Sequence, residues 1–344
     1  MVLKQNVGID VSMDTFDVNL TVLDDKFKKK CLGTKKFCNN IEGFMSLWTW
    51  VEKRKEQELE VSYTLEFTGV YYEQLAYYLK TANALVYMVV PSKAKKYCQS
   101  LSYASKTDKL DAQSLSWMGL EREMRVWEPL SHLFLNMRNL TREREELLKE
   151  RTMTKNRIHA SKKQGVGQVN SVRRYNERIA MLNAQIQQIE AELMELIKED
   201  EVVYRKYKNI LTIPGVAFIT AATVMGETNG FAAIFNHKQL TSYSGYDVKF
   251  NDSGKFNGVA KISKQGNAHI RRALHFPAQT AIKHNKPLSV FYERVNGRKT
   301  KPMIAGVAVQ RKILCLIYTL WKTDVVFDPY YKLVKDEEAL KMVG

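Results

Sequence analysis

Short apolar runs and amphipathic stretches alternate through the first third of the chain. VGIDVS (7–12) is an apolar run that reads as a buried strand, and DTFDVNLTVLD (14–24) and KKCLGTKKF (29–37) read as two more strands in a meander. IEGFMSLWTWVEKRKE (41–56) spaces its apolar residues three and four apart, as a helix does. A fourth strand, VSYTLEF (61–67), reaches its end at Glu66. The helix of YYEQLAYYLK (71–80), a fifth strand ALVYMVV (84–90) stopped by Pro91, and a helix from about Thr107 follow. The middle of the chain has another period. Val172, Tyr175, Ile179, Leu182, Ile186, Ile189, Leu193 and Leu196 recur at alternating steps of three and four, the seam of a coiled coil. A looser seam of Leu133, Met137, Leu140, Leu147 and Ile158 precedes it, and Gly165 to Gly167 interrupts the two, so an antiparallel helical hairpin is predicted.

These patterns set the fold class as α/β plus α. The N-terminal order βββαβαβα is that of an RNase H-like layer, a fold that places acids at strand ends. After Tyr207 the composition turns apolar and glycine-rich again, which predicts a mainly helical second globular part to about Phe327. The boundaries are 1–125 for the α/β layer, 126–206 for the hairpin, 207–330 for the C-terminal domain and 331–344 for a tail. Within the last domain ILTIPGVAFITAATVMGE (210–227) has the form of two helices around a Pro-Gly turn, which either holds a phosphate on its backbone amides or simply packs.

Charge then narrows the function. The 344 residues carry 53 Lys+Arg against 37 Asp+Glu, a net charge of +16, which is the electrostatic footprint of a nucleic-acid partner. No stretch is read as approaching the roughly 20 apolar residues of a membrane span, and no signal-peptide core precedes Asp10, so a cytoplasmic protein without a membrane partner is expected. Cys31, Cys38, Cys98 and Cys315 are scattered, without zinc-site or disulfide spacing. The hairpin tip, Lys149 to Arg178, is rich in Lys and Arg with only Glu150 and Glu177 in opposition. It is either a solvated face, a phosphate-tracking arm or an oligomerisation stalk.

Against this basic background four carboxylates stand out. Asp10 closes the first strand and Glu66 the fourth, while Asp108 and Asp111 lie three apart at a helix start and share a face. Asp108 also has the position of a helix cap, and Asp14 and Asp17 are equally acidic neighbours of Asp10. Like-charged hard oxygen donors suit Mg²⁺, and two such metals stabilise the attacking and leaving oxygens of a phosphoryl transfer. The nucleophile is then water or a side-chain hydroxyl. Ser253 sits in an Asp-Ser-Gly sequence that by itself reads as a turn. Lys255, Lys261, Lys264, Arg271 and Arg272 follow it closely and suit binding of a scissile phosphate.

The runs GIDVSMDTFDV, LEFTGVYYEQLAYYL, VPSKAKKYCQSLSYASKTDKLDAQSL, the IPGV segment, SYSGYDVKFNDSG and ISKQGNAHIRRAL together resemble the DEDD transposases of the insertion-sequence one-ten family, whose relatives include Piv-type DNA invertases. The resemblance spans about residues 5 to 330. It implies a RuvC-like domain with a Mg²⁺-binding, catalytic tetrad at Asp10, Glu66, Asp108 and Asp111, joined by the coiled coil to a transposase domain whose serine nucleophile falls on Ser253. It further implies donor and target DNA as partners, a structured non-coding bridge RNA as guide, and dimers or tetramers of the chain. Phe67 and the Asp247 to Lys249 stretch depart from the family pattern, and Ser242, Ser244 and Ser263 are nearby hydroxyls ranked below Ser253. The expected function is a DNA transposase that cleaves and rejoins strands through a covalent serine intermediate. The alternatives are a site-specific DNA invertase, a hydrolytic junction-resolvase-like nuclease and a non-catalytic nucleic-acid-binding protein.

Overall fold

The computed structural model describes residues 1–67, 69–101, 107–164, 169–249, 261–298 and 301–330, together with the backbone of 252–253 and 256–257. These fall into two compact units, Met1–Pro129 and Leu130–Gly344. The expected tail, 331–344, and the Gly165 to Gly167 break lie outside the described residues.

The first unit is built on β1 (Val2–Val11), β2 (Thr15–Asp24), β3 (Lys29–Cys38), α1 (Ile41–Glu52), β4 (Val61–Glu66), α2 (Glu73–Thr81), β5 (Leu85–Val89), α3 (Pro91–Ser100) and α4 (Asp108–Glu121). Its five strands lie in the order β3-β2-β1-β4-β5. β1, β2 and β3 form the antiparallel meander, while β4 and β5 run parallel to β1. The element order agrees with the sequence reading except at α3. Pro91 does not only stop β5; it occupies the first turn of a helix, where its missing N–H costs nothing and its fixed φ is already helical.

One face of the sheet packs α1 and α2 through Phe16, Phe37, Phe44, Leu47, Leu75 and Leu79. The other packs α4 so closely that a Cβ on Gly8 would collide with the backbone of Ala112 and Ser116. Glycine at this position is therefore required by close approach, not by backbone torsion. Ser116 Oγ donates to the Asn6 carbonyl (2.8 Å), and Asn6 Nδ2 donates to Ser62 Oγ (2.7 Å) and Thr64 Oγ1 (2.9 Å), so β1, β4 and α4 are tied by one buried polar network.

The second unit contains α5 (His132–Lys163), α6 (Val169–Lys198), α7 (Glu201–Leu211), α8 (Phe218–Thr228) and α9 (His237–Tyr243). Four two-residue strands follow, β6 (Val248–Lys249), β7 (Asp252–Ser253), β8 (Phe256–Asn257) and β9 (Lys261–Ile262), then α10 (Ala268–Ala273), α11 (His275–His284), α12 (Lys286–Asn296) and α13 (Pro302–Thr323). The long helices α5 and α6 pack on each other, with Leu182, Ile186, Ile189, Leu193 and Ile197 buried, while Val172, Tyr175 and Ile179 nearer the turn are half-buried. The base of this pair does not stand apart as 126–206 suggested. Met137, Ile189, Leu193 and Ile197 share one core with α7, α8 and α13.

The Pro-Gly turn between α7 and α8 packs. Gly215, at φ +97°, lies against the Pro277 carbonyl and Ala281 amide of α11. α13 is the one described helix long and apolar enough to cross a membrane, a stretch not expected from the sequence. Its Val309, Ile313, Leu314, Ile317 and Trp321 sit in the core of the second unit.

Candidate functional site

Ile9 pairs with Leu65 across the parallel β1–β4 ladder, so Asp10 and Glu66, each the next residue, reach the C-terminal edge of neighbouring strands. Asp108 and Asp111 occupy the first turn of α4, the helix clamped over β1 at Gly8. Their placement follows from local sequence. Thr107 is the N-cap, its side chain accepting from the Leu110 amide at 3.3 Å, so the helix does not need Asp108 as a cap. The structure thus brings all four predicted acids to one side of the first unit.

Electrostatics records their closeness. Burial and then the charges of Asp111, Asp108, Glu66 and Asp17 push the Asp10 carboxyl up from 3.8 to about 6. Among the described residues no three His, Cys, Asp or Glu side chains converge tightly enough to enclose one ion. The donor set is all carboxylate, and the charges of the other three raise the proton affinity of Asp10, which is what a hard divalent cation would relieve. In chemistry the residues fit Mg²⁺.

Two further groups stand at this edge, Asp17, which the sequence marks only as an acidic neighbour of Asp10, and Lys36, which it does not mark at all. Asp17, 3% exposed, stands opposite Asp10 in the antiparallel β1–β2 register. Lys36, opposite Asp17 on β3, places Nζ 2.9 Å from Asp17 Oδ2 and 4.0 Å from Asp108 Oδ2. The hydrogen bond and charge of Asp17 hold the Lys36 ammonium above its ordinary pKa. The available signal was the period-two alternation that puts Asp17 and Lys36 on one face, but the pairing needs the β2–β3 register. Cys98 of α3 also lies near, with Sγ 3.8 Å from Asp111 Oδ1, and burial raises its thiol pKa.

In the second unit, Ser253 ends β7 and pairs with Phe256 of β8, at the end of an excursion whose stem is β6 paired with β9. The Ser253 side chain and Lys255 lie outside the described residues. Of the rival hydroxyls, Ser244 is buried and donates to the Leu240 carbonyl (2.8 Å), and Ser263 donates to Asp247 Oδ1 (2.8 Å), so both are engaged in local structure.

The basic residues divide. Lys261 and Lys264 are exposed. Arg271 sends Nη1 into the carbonyls of Ser244 (2.7 Å), Gly266 (3.1 Å) and Asn267 (3.2 Å), fastening the foot of the serine excursion to α10. Arg272 Nε lies 2.7 Å from Glu145 Oε1. Glu145 also receives His269 Nδ1 at 2.7 Å and Lys149 Nζ at 2.9 Å. Burial raises the Glu145 pKa, but these hydrogen bonds and the Arg272 charge outweigh it and hold the carboxyl at about 2. Glu227, buried, binds Arg142 in a two-pronged pair of 2.7 and 2.9 Å and takes a third bond from Asn267 Nδ2 (2.5 Å). Burial is again outweighed, and its pKa is lowered.

Comparison with known proteins gives two family matches. Residues 7–164 match the family model of DEDD transposases of IS110 elements, described as Transposase, and residues 207–293 match the Transposase IS116/IS110/IS902 family. The pilin gene-inverting protein of Moraxella lacunata is 28% identical over 335 residues, covering 94% of this chain and 98% of that protein. The transposase for insertion sequence element IS1111A of Coxiella burnetii is 23% identical over 226 residues, covering 58% and 60%. Among solved structures, T. thermophilus RuvC in complex with a Holliday junction substrate covers 36% of this chain and 99% of its own, at 12% identity and a TM-score of 0.26.

Proposed function

The chain belongs to the IS110 family of DEDD transposases, and from that premise we propose that it cleaves and rejoins DNA with a serine nucleophile beside a Mg²⁺-binding carboxylate set, under the guidance of a structured RNA. The observation that supports the reading is the shared edge of β1, β4 and α4, along which Glu66, Asp108 and Asp111 lie near enough for their charges to act on Asp10, within a transposase family match.

Asp10, Glu66, Asp108 and Asp111 would hold the metal. When bound, Mg²⁺ would stabilise the charge that develops on the phosphate oxygens. The Ser253 Oγ attacks phosphorus, a Ser–O–P bond forms, and the scissile P–O bond breaks with its electron pair leaving on the strand end. The phosphodiester energy is conserved in the adduct, so the reverse attack by another strand end rejoins DNA and frees the serine. The hydroxyl proton needs an acceptor, and the carboxylate-metal centre is the candidate for that task. The reading requires Ser253 and the acids to meet during reaction, within one subunit or between two, which gives oligomerisation a chemical purpose. The exposed Lys261 and Lys264 would hold the DNA backbone near the serine.

A suicide DNA substrate tests this reading. The expected product is a protein–DNA adduct that survives denaturation and maps to the Ser253 peptide; Ser253→Ala loses it while still binding DNA and Mg²⁺. Efficient cleavage by Ser253→Ala with no covalent species would make the chain a hydrolytic nuclease. Site-specific inversion is the second reading, favoured by the 94% coverage against the Moraxella lacunata inverting protein. It uses the same strand exchange on differently arranged sites. Sequencing RNA that co-purifies from cells carrying the whole element tests guidance: one discrete structured species is expected, and random fragments alone would count against it.

A further inference from the structure

From Ser253 to Tyr292 the chain contains no Asp or Glu, against seven Lys and Arg. The structure turns part of this acid-free run into one surface. Lys264, Arg272 and His275 line an open groove whose wall includes Gln310, itself nearly buried, with Oε1 accepting from Tyr246 Oη at 2.9 Å. α11 leaves the groove with Pro277, Ala278 and Ala281 turned into the core and His275, Phe276, Gln279, Thr280 and Lys283 exposed. Phe276 is 72% exposed, and the ring of His275 meets it edge-on at 5.2 Å.

A phenyl ring left in water costs apolar hydration, and neither of the usual compensations is present within the described chain: its ring neighbour is itself exposed, and the helix is anchored by the opposite face. The surroundings then select the occupant. A protein partner would have to bring acids to a basic rim, whereas a nucleic-acid strand brings phosphates for Lys264 and Lys283 and a flat base for the ring. Sequence-tolerant binders of single strands combine a cationic groove with an aromatic stacking platform in this way.

We infer that Phe276, edged by His275, is a stacking platform for an unpaired nucleobase whose strand lies along the groove beside Lys264. The inference rests on the recombinase reading only in taking nucleic acid as the partner. It adds a single-stranded element to that reading, since a stacked duplex has no free base face to offer. DNA and RNA share this chemistry.

The test uses the full-length protein and oligonucleotides carrying 2-aminopurine, in four forms: single-stranded and duplex, DNA and RNA. Single strands should show 2-aminopurine quenching on binding. Phe276→Leu should abolish the quench and weaken single-strand binding by about tenfold, with duplex binding and the dependence on salt unchanged, while Phe276→Trp retains both quench and affinity. Lys283→Gln should keep the quench but reduce the salt slope by about one phosphate contact. Comparison of the DNA and RNA strands identifies which supplies the base. Unchanged single-strand binding by Phe276→Leu overturns the platform, as does a loss shared equally by duplex. A fall in oligomer mass on Phe276→Ser with normal strand binding would instead assign the ring to a subunit contact. No cleavage enters these measurements, so they stand apart from the fate of Ser253.

Discussion

Asp10 and Glu145 are both partly buried carboxylates of one polypeptide, yet one is pushed up to about 6 and the other held at about 2. Desolvation acts on both in the same direction, so the difference comes from neighbours. Asp10 faces Asp111, Asp108, Glu66 and Asp17, whereas Glu145 faces Lys149, His269 and Arg272. The acids of the first unit remain repelling one another, a state that stability alone does not favour. Those of the second unit are neutralised in place and serve the packing of α5 against α8 and α10. A carboxylate that the fold leaves among its own kind is a candidate for chemistry; one that it surrounds with guanidinium and ammonium groups is structural.

The largest expected effects break that contrast from both sides. Asp10→Ala, Glu66→Ala, Asp108→Ala and Asp111→Ala should each abolish strand cleavage while the thermal unfolding midpoint is kept or raised. Glu227→Ala should do the reverse: it removes the carboxylate that holds Arg142 and Asn267 together and should lower stability by about 1–3 kcal/mol, the Arg142 side chain being partly exposed, read by urea unfolding. If Asp108→Ala retains Mg²⁺-dependent cleavage, Asp108 drops out of the set, because Thr107 already caps α4 and no structural role would explain the result.

The sequence made one side of this contrast visible and hid the other. Asp10 and Glu66 could be found because an acid at the end of an apolar strand is locally conspicuous, and the five strands themselves follow from short runs of strand-forming residues. The partners of the second unit are remote: Arg272 reaches Glu145 across 127 positions, and Arg142 reaches Glu227 across 85. Composition could therefore read Arg271 and Arg272 as cations without showing that one is spent on backbone carbonyls and the other on a carboxylate. Lys36 was hidden for a different reason. A lysine on the edge strand of a sheet ordinarily protects the edge from pairing, and only the register reveals buried Asp17 beneath it.

The two carboxylates should also give opposite pH dependences of stability. For Asp10, the folded pKa of about 6 lies above the ordinary 3.8, so the unfolded chain gives up its proton first as pH rises. Its contribution falls between about pH 4 and 6 and stays low above that, to a total of about 3 kcal/mol at most. For Glu145, the folded value of about 2 lies below 4.5, so its contribution is complete above pH 4.5 and is lost as pH falls toward 2. Asp10→Asn should therefore raise stability at pH 7 and flatten the upper window, while Glu145→Gln should lower stability at pH 7 and flatten the lower one. Urea titrations across pH 2.5–8 read both, and a loss of stability at pH 7 in Asp10→Asn would remove the repulsion from the account.

The smallest effect sharpens the contrast at its one exception, the cation within the acidic edge. Lys36 is tied to Asp17 at 2.9 Å and stands 4.0 Å from Asp108, so it partly offsets the like charges and opposes the entry of a divalent ion. Lys36→Met should tighten Mg²⁺ binding by about two- to fivefold at low salt, a modest change because the ammonium is exposed and screened. Lys35→Met supplies the control. It makes the same change in net charge one residue away, where the ammonium lies over the Phe37 ring on the opposite face, and should leave Mg²⁺ affinity unchanged. Calorimetric titration of Mg²⁺ in the absence of DNA separates the two variants without reference to cleavage. The difference should shrink as monovalent salt rises, since screening weakens the repulsion that Lys36 exerts. Equal affinities for the two variants at low salt would mean that Lys36 only fastens β3 to β2.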